Sequence, residues 1–214
     1  MGRVEWFRRT TWTPQDAAEF QSRLSRSRGD AGKAQYLRIQ AVHLAEVGNH
    51  KAALSLIEQL LTNHPVEFEL AATYIQRAES CAALGDDEEA IVSFRRSLAA
   101  QAKHPGVRPG VELAFAWFIA LGRRVELYGE VEGLLRQYEG DGLTFPVERF
   151  KCAVVRALIA AEQGRHADAK AFAGRAQQAA SEEHSGLRYH AKLGLVNEIP
   201  VEIAQRLAAI GGGV

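Results

Sequence analysis

The chain carries no excess of charge of either sign. Its 214 residues hold 26 Lys plus Arg against 26 Asp plus Glu. That balance supplies no global field to draw in DNA, RNA or an anionic membrane, although it leaves room for a local patch. Long apolar runs are missing too. The longest, Leu113 to Leu121, ends at Gly122-Arg123-Arg124, far short of the roughly 20 residues that span a bilayer. Arg3, Arg8 and Arg9 precede no apolar stretch, so the start does not read as a secretory signal. Cysteine is scarce: Cys81 and Cys152 lie far apart inside helical patterns. Their spacing excludes a zinc site or a Cys-x-x-Cys redox pair and fits two buried, reduced thiols. Together these absences lead us to expect a soluble, cytoplasmic protein with no membrane contact.

Catalytic signatures are equally thin. No Gly-x-Ser-x-Gly elbow precedes Ser181 or Ser185, and no Gly-Lys-Ser/Thr loop is present to cradle phosphates. The carboxylates Asp86-Asp87-Glu88-Glu89 fall at an expected helix N-terminus, where negative charge is favourable without any chemistry. The sequence therefore reads as non-enzymatic, with no catalytic residue, metal or cofactor assigned.

What the chain has in abundance is helical patterning. Alanine, the best helix former, is frequent, and Gly and Pro fall between the periodic runs. A first helix is predicted from Thr13. Its hydroxyl can cap free amides, Pro14 suits the first helical position, and Asp16 suits the positive end. Ala17, Phe20 and Leu24 share one face, and Gly29 ends the run. Six arginines against three acids between Arg3 and Arg28 make this the most basic stretch. It reads as a solvated face, with an anionic partner site as the alternative.

From Ala34 the pattern repeats. Gly48, Gly85, Gly129 and Gly164 each separate two amphipathic runs, at spacings of 37, 44 and 35 residues. Five residues on stand Ala53, Ala90, Leu134 and Ala169. Ala41, Ala78, Gly122 and Ala157 are small residues placed for close approach of the paired helix. Pro65 closes the first unit. This pattern resembles the tetratricopeptide repeat, a 34-residue helix–turn–helix with a turn glycine. The resemblance implies an all-α, right-handed α-solenoid of about four such hairpins, over 34–67, 71–104, 115–148 and 150–184. Residues 1–33 would form a basic segment and capping helix, and 185–214 a C-terminal cap and tail. In that cap, Ile203, Leu207 and Ile210 share a helix face between Pro200 and the tail Gly211-Gly212-Gly213. Leu134, large where the family is small, predicts a splayed or shifted third hairpin. The alanine-rich fourth predicts closely approaching helices.

Ligands in this family sit on the concave face, lined by the first helix of each repeat. Carried over by alignment, that face presents Gln35, Arg38, Val42, Ala72, Ile75, Glu79, Ala116, Ile119, Arg123, Lys151, Val154 and Leu158. Val42 and Ala72 stand where a carboxylate clamp needs polar side chains, so the implied ligand is a helix or extended peptide of another protein. A second candidate site is the segment His184 to Val196, which departs from the repeat and gathers His184, Arg188, Tyr189 and His190. It reads as a capping turn, with anion binding by Arg188 beside Tyr189 as the sharper alternative. The expectation is thus a non-catalytic interaction scaffold, with self-association left open. The competing expectation is a nucleotide- or nucleic-acid-linked regulator using the basic N-terminus or residues 184–196. At one further position, Gln40, Arg77 and Arg156 fall at equivalent places in three repeats, and no function is assigned to them.

Overall fold

The computed structural model describes residues 5–140, 142 and 145–212; Arg3 and the tail residue Gly213 lie outside them. Among the described residues there are ten α-helices, one 3-10 turn and no strand. Among the described residues no helix is long and apolar enough to cross a membrane. Contacts divide the chain into two units, Met1–Val111 and Glu112–Val214. The division follows the Lys103–Gly110 loop that the sequence marks with two prolines and two glycines.

In the first unit, helix α1 (Pro14–Arg26) starts where predicted. The Thr13 hydroxyl accepts from the Asp16 N–H at 3.1 Å, and the Asp16 carboxylate accepts from the Thr13 N–H at 2.9 Å. These bonds satisfy two amides at the helix start, one of them on the cap residue itself. Two helix hairpins follow, α2 (Asp30–Glu46) with α3 (His50–Asn63), and α4 (Glu67–Ala83) with α5 (Asp87–Lys103). The turns between partners pass through Gly48 and Gly85 at φ of 80° and 82°, a left-handed conformation that side-chain-bearing residues resist. Asn49 and Asp86 then cap the second helices by accepting from the Ala52 and Glu89 amides. The small residues do what their spacing implies: Ala41, Ala53, Ala78 and Ala90 are all buried. Around them Leu37, Leu44, Ile57, Leu60 and Phe94 fill the core, each contributing about 1.5–3 kcal/mol by leaving water.

The N-terminal segment is strapped onto this unit. Trp6 and Phe7 each pack 4.8 Å from the Tyr36 ring, and Trp6 and Trp12 lie against Phe20. The Gln40 side-chain amide, wholly buried, accepts from the Arg9 N–H at 3.0 Å and donates to the Arg9 carbonyl at 2.7 Å. Both backbone groups of Arg9 thereby acquire partners that water would otherwise supply.

In the second unit, α6 (Val111–Leu121, beginning at the boundary) leads through a 3-10 turn (Val125–Leu127) into α7 (Tyr128–Gly140). Helices α8 (Pro146–Glu162) and α9 (His166–Ala180) form a hairpin turning at Gly164, and α10 (Val201–Gly212) packs on both. Ala153, Ala157 and Ala160 on α8 and Ala169, Ala173 and Ala176 on α9 are buried, so short side chains line the seam of this pair. Ile203 and Leu207 of α10 are buried as their spacing predicts. The Glu162 carboxylate, at the end of α8, gathers the Tyr128 hydroxyl, Arg206 at 2.9 Å and Arg123 at 3.3 Å.

The third hairpin corrects the sequence reading. Gly129 is not its turn glycine; it lies in the first turn of α7. The chain turns seven residues earlier, at Gly122-Arg123-Arg124. There Gly122 and Arg124 donate to the Phe118 and Ile119 carbonyls and end α6 after 11 residues. Gly122 therefore belongs to the turn rather than to a close helix approach. Arg123 takes the left-handed conformation, φ 53°, that glycine takes in the other hairpins.

Candidate functional site

The unassigned position, eight residues before the turn glycine, has a consistent role. Gln40 binds the backbone of the N-terminal strap. Arg77, on α4, reaches back to Glu58 of α3 at 2.6 Å and across to Glu89 and Ser93 of α5 at 2.5 and 2.6 Å. Arg156, on α8, reaches back to Glu139 of α7 through Nε at 3.0 Å and through Nη2. In each case the first helix of a hairpin ties itself to the element before it. Burial works against the charge of Arg77, but the bonds to Glu58 and Glu89 outweigh it and its pKa rises. For Arg156 the Glu139 bond dominates, with the same result.

In the first unit a hollow of about 340 Å³ opens over α2 and α4. Ala41, Val42 and Ala45 line it from α2, Gln76 and Glu79 from α4, and His50 and Glu46 from the turn region. Val42 and Glu79 are two of the residues the family alignment puts on the ligand face. Sequence reasoning missed His50 and Gln76, yet they carry its chemistry. His50 Nδ1 and Gln76 Oε1 are both buried and neither has a hydrogen-bond partner. A buried polar atom left unpaired costs about 1–3 kcal/mol, so the hollow holds unspent bonding capacity. The signal for Gln76 is its one-turn spacing from Glu79 on α4; His50, at the start of α3, carries no such mark.

The other predicted groove residues fare differently. Gln35 is exposed, Ala72 is half-buried and Ile75 is buried. Arg38 is half-buried and held by Glu69 at 2.5 Å. In the second unit Ala116, Ile119, Val154 and Leu158 are buried and have almost no surface to offer a partner. Lys151 is exposed with its ammonium 5.6 Å from the Trp117 ring centroid, and exposed Arg123 pairs with Glu162.

The segment from His184 to Val196 is a compact loop built around one buried hydroxyl. Ser185 Oγ donates to the His190 carbonyl at 2.7 Å and accepts from the Leu187 N–H at 3.2 Å, while Ser185 N–H donates to Ala191. His184, Arg188, Tyr189 and His190 are all exposed, and the Arg188 guanidinium stacks on Tyr189 at 5.3 Å. No group of three or more metal-ligating side chains occurs among the described residues. In the basic N-terminus, Arg8 pairs with Glu5, and Arg9 with Asp16 and Glu19. Both thiols are buried; burial pushes Cys81 up and Cys152 up to about 12, which leaves little thiolate at neutral pH. No family model, no curated protein and no solved structure matches the chain.

Proposed function

We propose that this chain is a non-catalytic tetratricopeptide-type scaffold, and that its first unit holds a peptide or helix of another protein in the hollow over α2 and α4. The supporting observation is the pair of unpartnered buried atoms, His50 Nδ1 and Gln76 Oε1, in a hollow that α2 lines with the small or apolar residues Ala41, Val42 and Ala45 and that Glu46, Glu79 and Ser80 complete. Small residues admit a partner's backbone closely, and the unpaired atoms reward a ligand that supplies hydrogen bonds. The hollow adjoins Val42 and Glu79, on the face the family resemblance assigns to ligands. For the nucleotide- or nucleic-acid-linked alternative, the N-terminal route is less well supported, because Arg8 and Arg9 are already paired with Glu5, Asp16 and Glu19.

The test is a random-peptide display selection on the full chain, followed by affinity measurement on the enriched peptides. Ala45→Phe fills the hollow and is expected to weaken their binding at least about tenfold, roughly 1.4 kcal/mol. Ala204→Phe, on α10, is the control and should leave it unchanged. Peptides that ignore Ala45→Phe, or a selection that enriches none, would refute the proposal.

A further inference from the structure

The internal repeat exposes a second site, in the other unit. Arg77 and Arg156 are equivalent, but they are not equally held. Arg77 Nη1 is bound by Glu89 and Ser93, which follow Gly85 by four and eight residues. The residues at those offsets from Gly164 are Asp168 and Phe172. Asp168 turns to Arg165, at 3.2 Å, and the Phe172 side chain has no oxygen to offer. Arg156 therefore keeps its backward bond to Glu139 and loses both forward ones. Its guanidinium instead lies 5.7 Å from the Phe172 ring centroid, beside a cavity of about 280 Å³ between α7, α8 and α9.

A second guanidinium stands on the same ring. Arg175, one turn along α9, lies 5.2 Å from the Phe172 centroid, is exposed, and has no carboxylate partner among the described residues. The remaining charges around the cavity cancel in pairs. Arg149 binds Glu182 at 2.6 Å, and Glu139 is taken by Arg156. Outside the lining, Glu132, which also acts on Arg156, shares Arg165 with Asp168. Among the residues that line the cavity, three arginines (Arg149, Arg156 and Arg175) stand against two glutamates (Glu139 and Glu182), an excess of one positive charge. Between the charged groups the wall is mostly apolar, Ala153, Ala179, Cys152 and the Phe172 ring, with one amide, Gln178.

We propose that this cavity binds a small organic carboxylate, with Arg175 and the free edge of Arg156 holding the anion and Phe172 and the alanines holding the body. A guanidinium's planar donor fork matches a carboxylate. A single surplus charge suits a monoanion better than a phosphate dianion. The volume lies near the lower end for small-molecule pockets. This site is independent of the hollow over α2 and α4.

The experiment is a titration of the isotopically labelled full chain with phenylacetate at physiological salt, following the arginine Nε–H resonances by NMR. Saturable shifts are expected at Arg156 and Arg175, with a Kd on the order of 1 mM. Phenylacetamide, which has the same shape without the charge, and inorganic phosphate should leave them in place. Arg175→Gln, at an exposed position, should weaken binding at least about tenfold. Phe172→Ser restores the hydroxyl found in the second hairpin and should abolish binding in a folded protein, as judged by an otherwise unchanged spectrum. The proposal is overturned by any of four results: no saturable shift, an equal response to phenylacetamide, a response to phosphate alone, or full affinity in Arg175→Gln.

Discussion

Gly194 is where a single atom matters most. Its φ is +70°, and a Cβ built there would stand 2.5 Å from Cγ and Cδ1 of Phe145 and 2.6 Å from its Cβ. The contact reaches the root of the Phe145 side chain, so a rotamer change does not relieve it. The same glycine's carbonyl accepts from the Val147 N–H at 2.8 Å, while Glu148 accepts from the Phe145 N–H at 2.9 Å. Two amides at the start of α8 are thus satisfied, one by the loop and one by the helix's own carboxylate. Gly194→Ala must adopt a left-handed conformation and also displace Phe145, so it should destabilise the chain by about 2–3 kcal/mol. Gly186 is the control: it sits at +84° with nothing within 4 Å of the added atom. Gly186→Ala should cost only about 1 kcal/mol, the conformational share. Urea unfolding followed by circular dichroism separates the two. Equal losses would show that the Phe145 contact carries no weight. In this loop the backbone and the Ser185 hydroxyl hold the structure, while His184, Arg188, Tyr189 and His190 are exposed.

Helices were legible where their ends follow local chemistry. Thr13-Pro14 with Asp16 announces α1, and Asn49 and Asp86 announce α3 and α5, because a cap needs only its own neighbours. The end of α6 was not legible. Its turn uses Arg123 in a conformation normally signalled by glycine, while Gly129 supplies that signal inside a helix. Packing decided that register, and packing is not written in a short window. The same limit hid His50 and Gln76: both are ordinary helix residues until the fold buries one atom of each without a partner. The cap of α1 has a pH signature. The Asp16 carboxyl is held below the usual aspartate value, first by the Thr13 backbone N–H, then by the Thr13 hydroxyl and Arg9. A carboxylate with a depressed folded-state pKa contributes stability above its unfolded value, about 3.9, and loses it as pH falls through the folded value. Asp16→Asn should therefore be less stable than the parent at pH 7 and converge with it near pH 2. A difference that persists at pH 2 would assign the effect to shape rather than charge.

Contacts gather the chain into two units, Met1–Val111 and Glu112–Val214. The first unit has what an independent domain requires. It contains its own core, from Phe20 and Leu24 through Leu37, Leu44 and Leu60 to Phe94. It also pairs polar groups that its core buries, the hollow's His50 and Gln76 apart: Gln40 pairs with the Arg9 backbone, Arg77 with Glu58, Glu89 and Ser93, and the buried Ser97 hydroxyl donates to the Ala71 carbonyl at 2.7 Å. Its 111 residues exceed the roughly 60 at which single domains become marginal. A fragment of residues 1–110 is therefore expected to fold alone, with strong helical circular dichroism and a single cooperative urea transition. Removing residues 1–12 from that fragment strips Trp6, Phe7 and Trp12 from Phe20 and Tyr36 and leaves the buried Gln40 amide without its Arg9 partners. The lost hydrogen bonds alone cost about 1–3 kcal/mol, and the aromatic contacts add to that, so the transition midpoint should fall markedly. A broad, non-cooperative transition in residues 1–110 would mean that the first unit draws its stability from the rest of the chain. A midpoint unchanged by loss of residues 1–12 would mean that the strap rests on a core already complete without it.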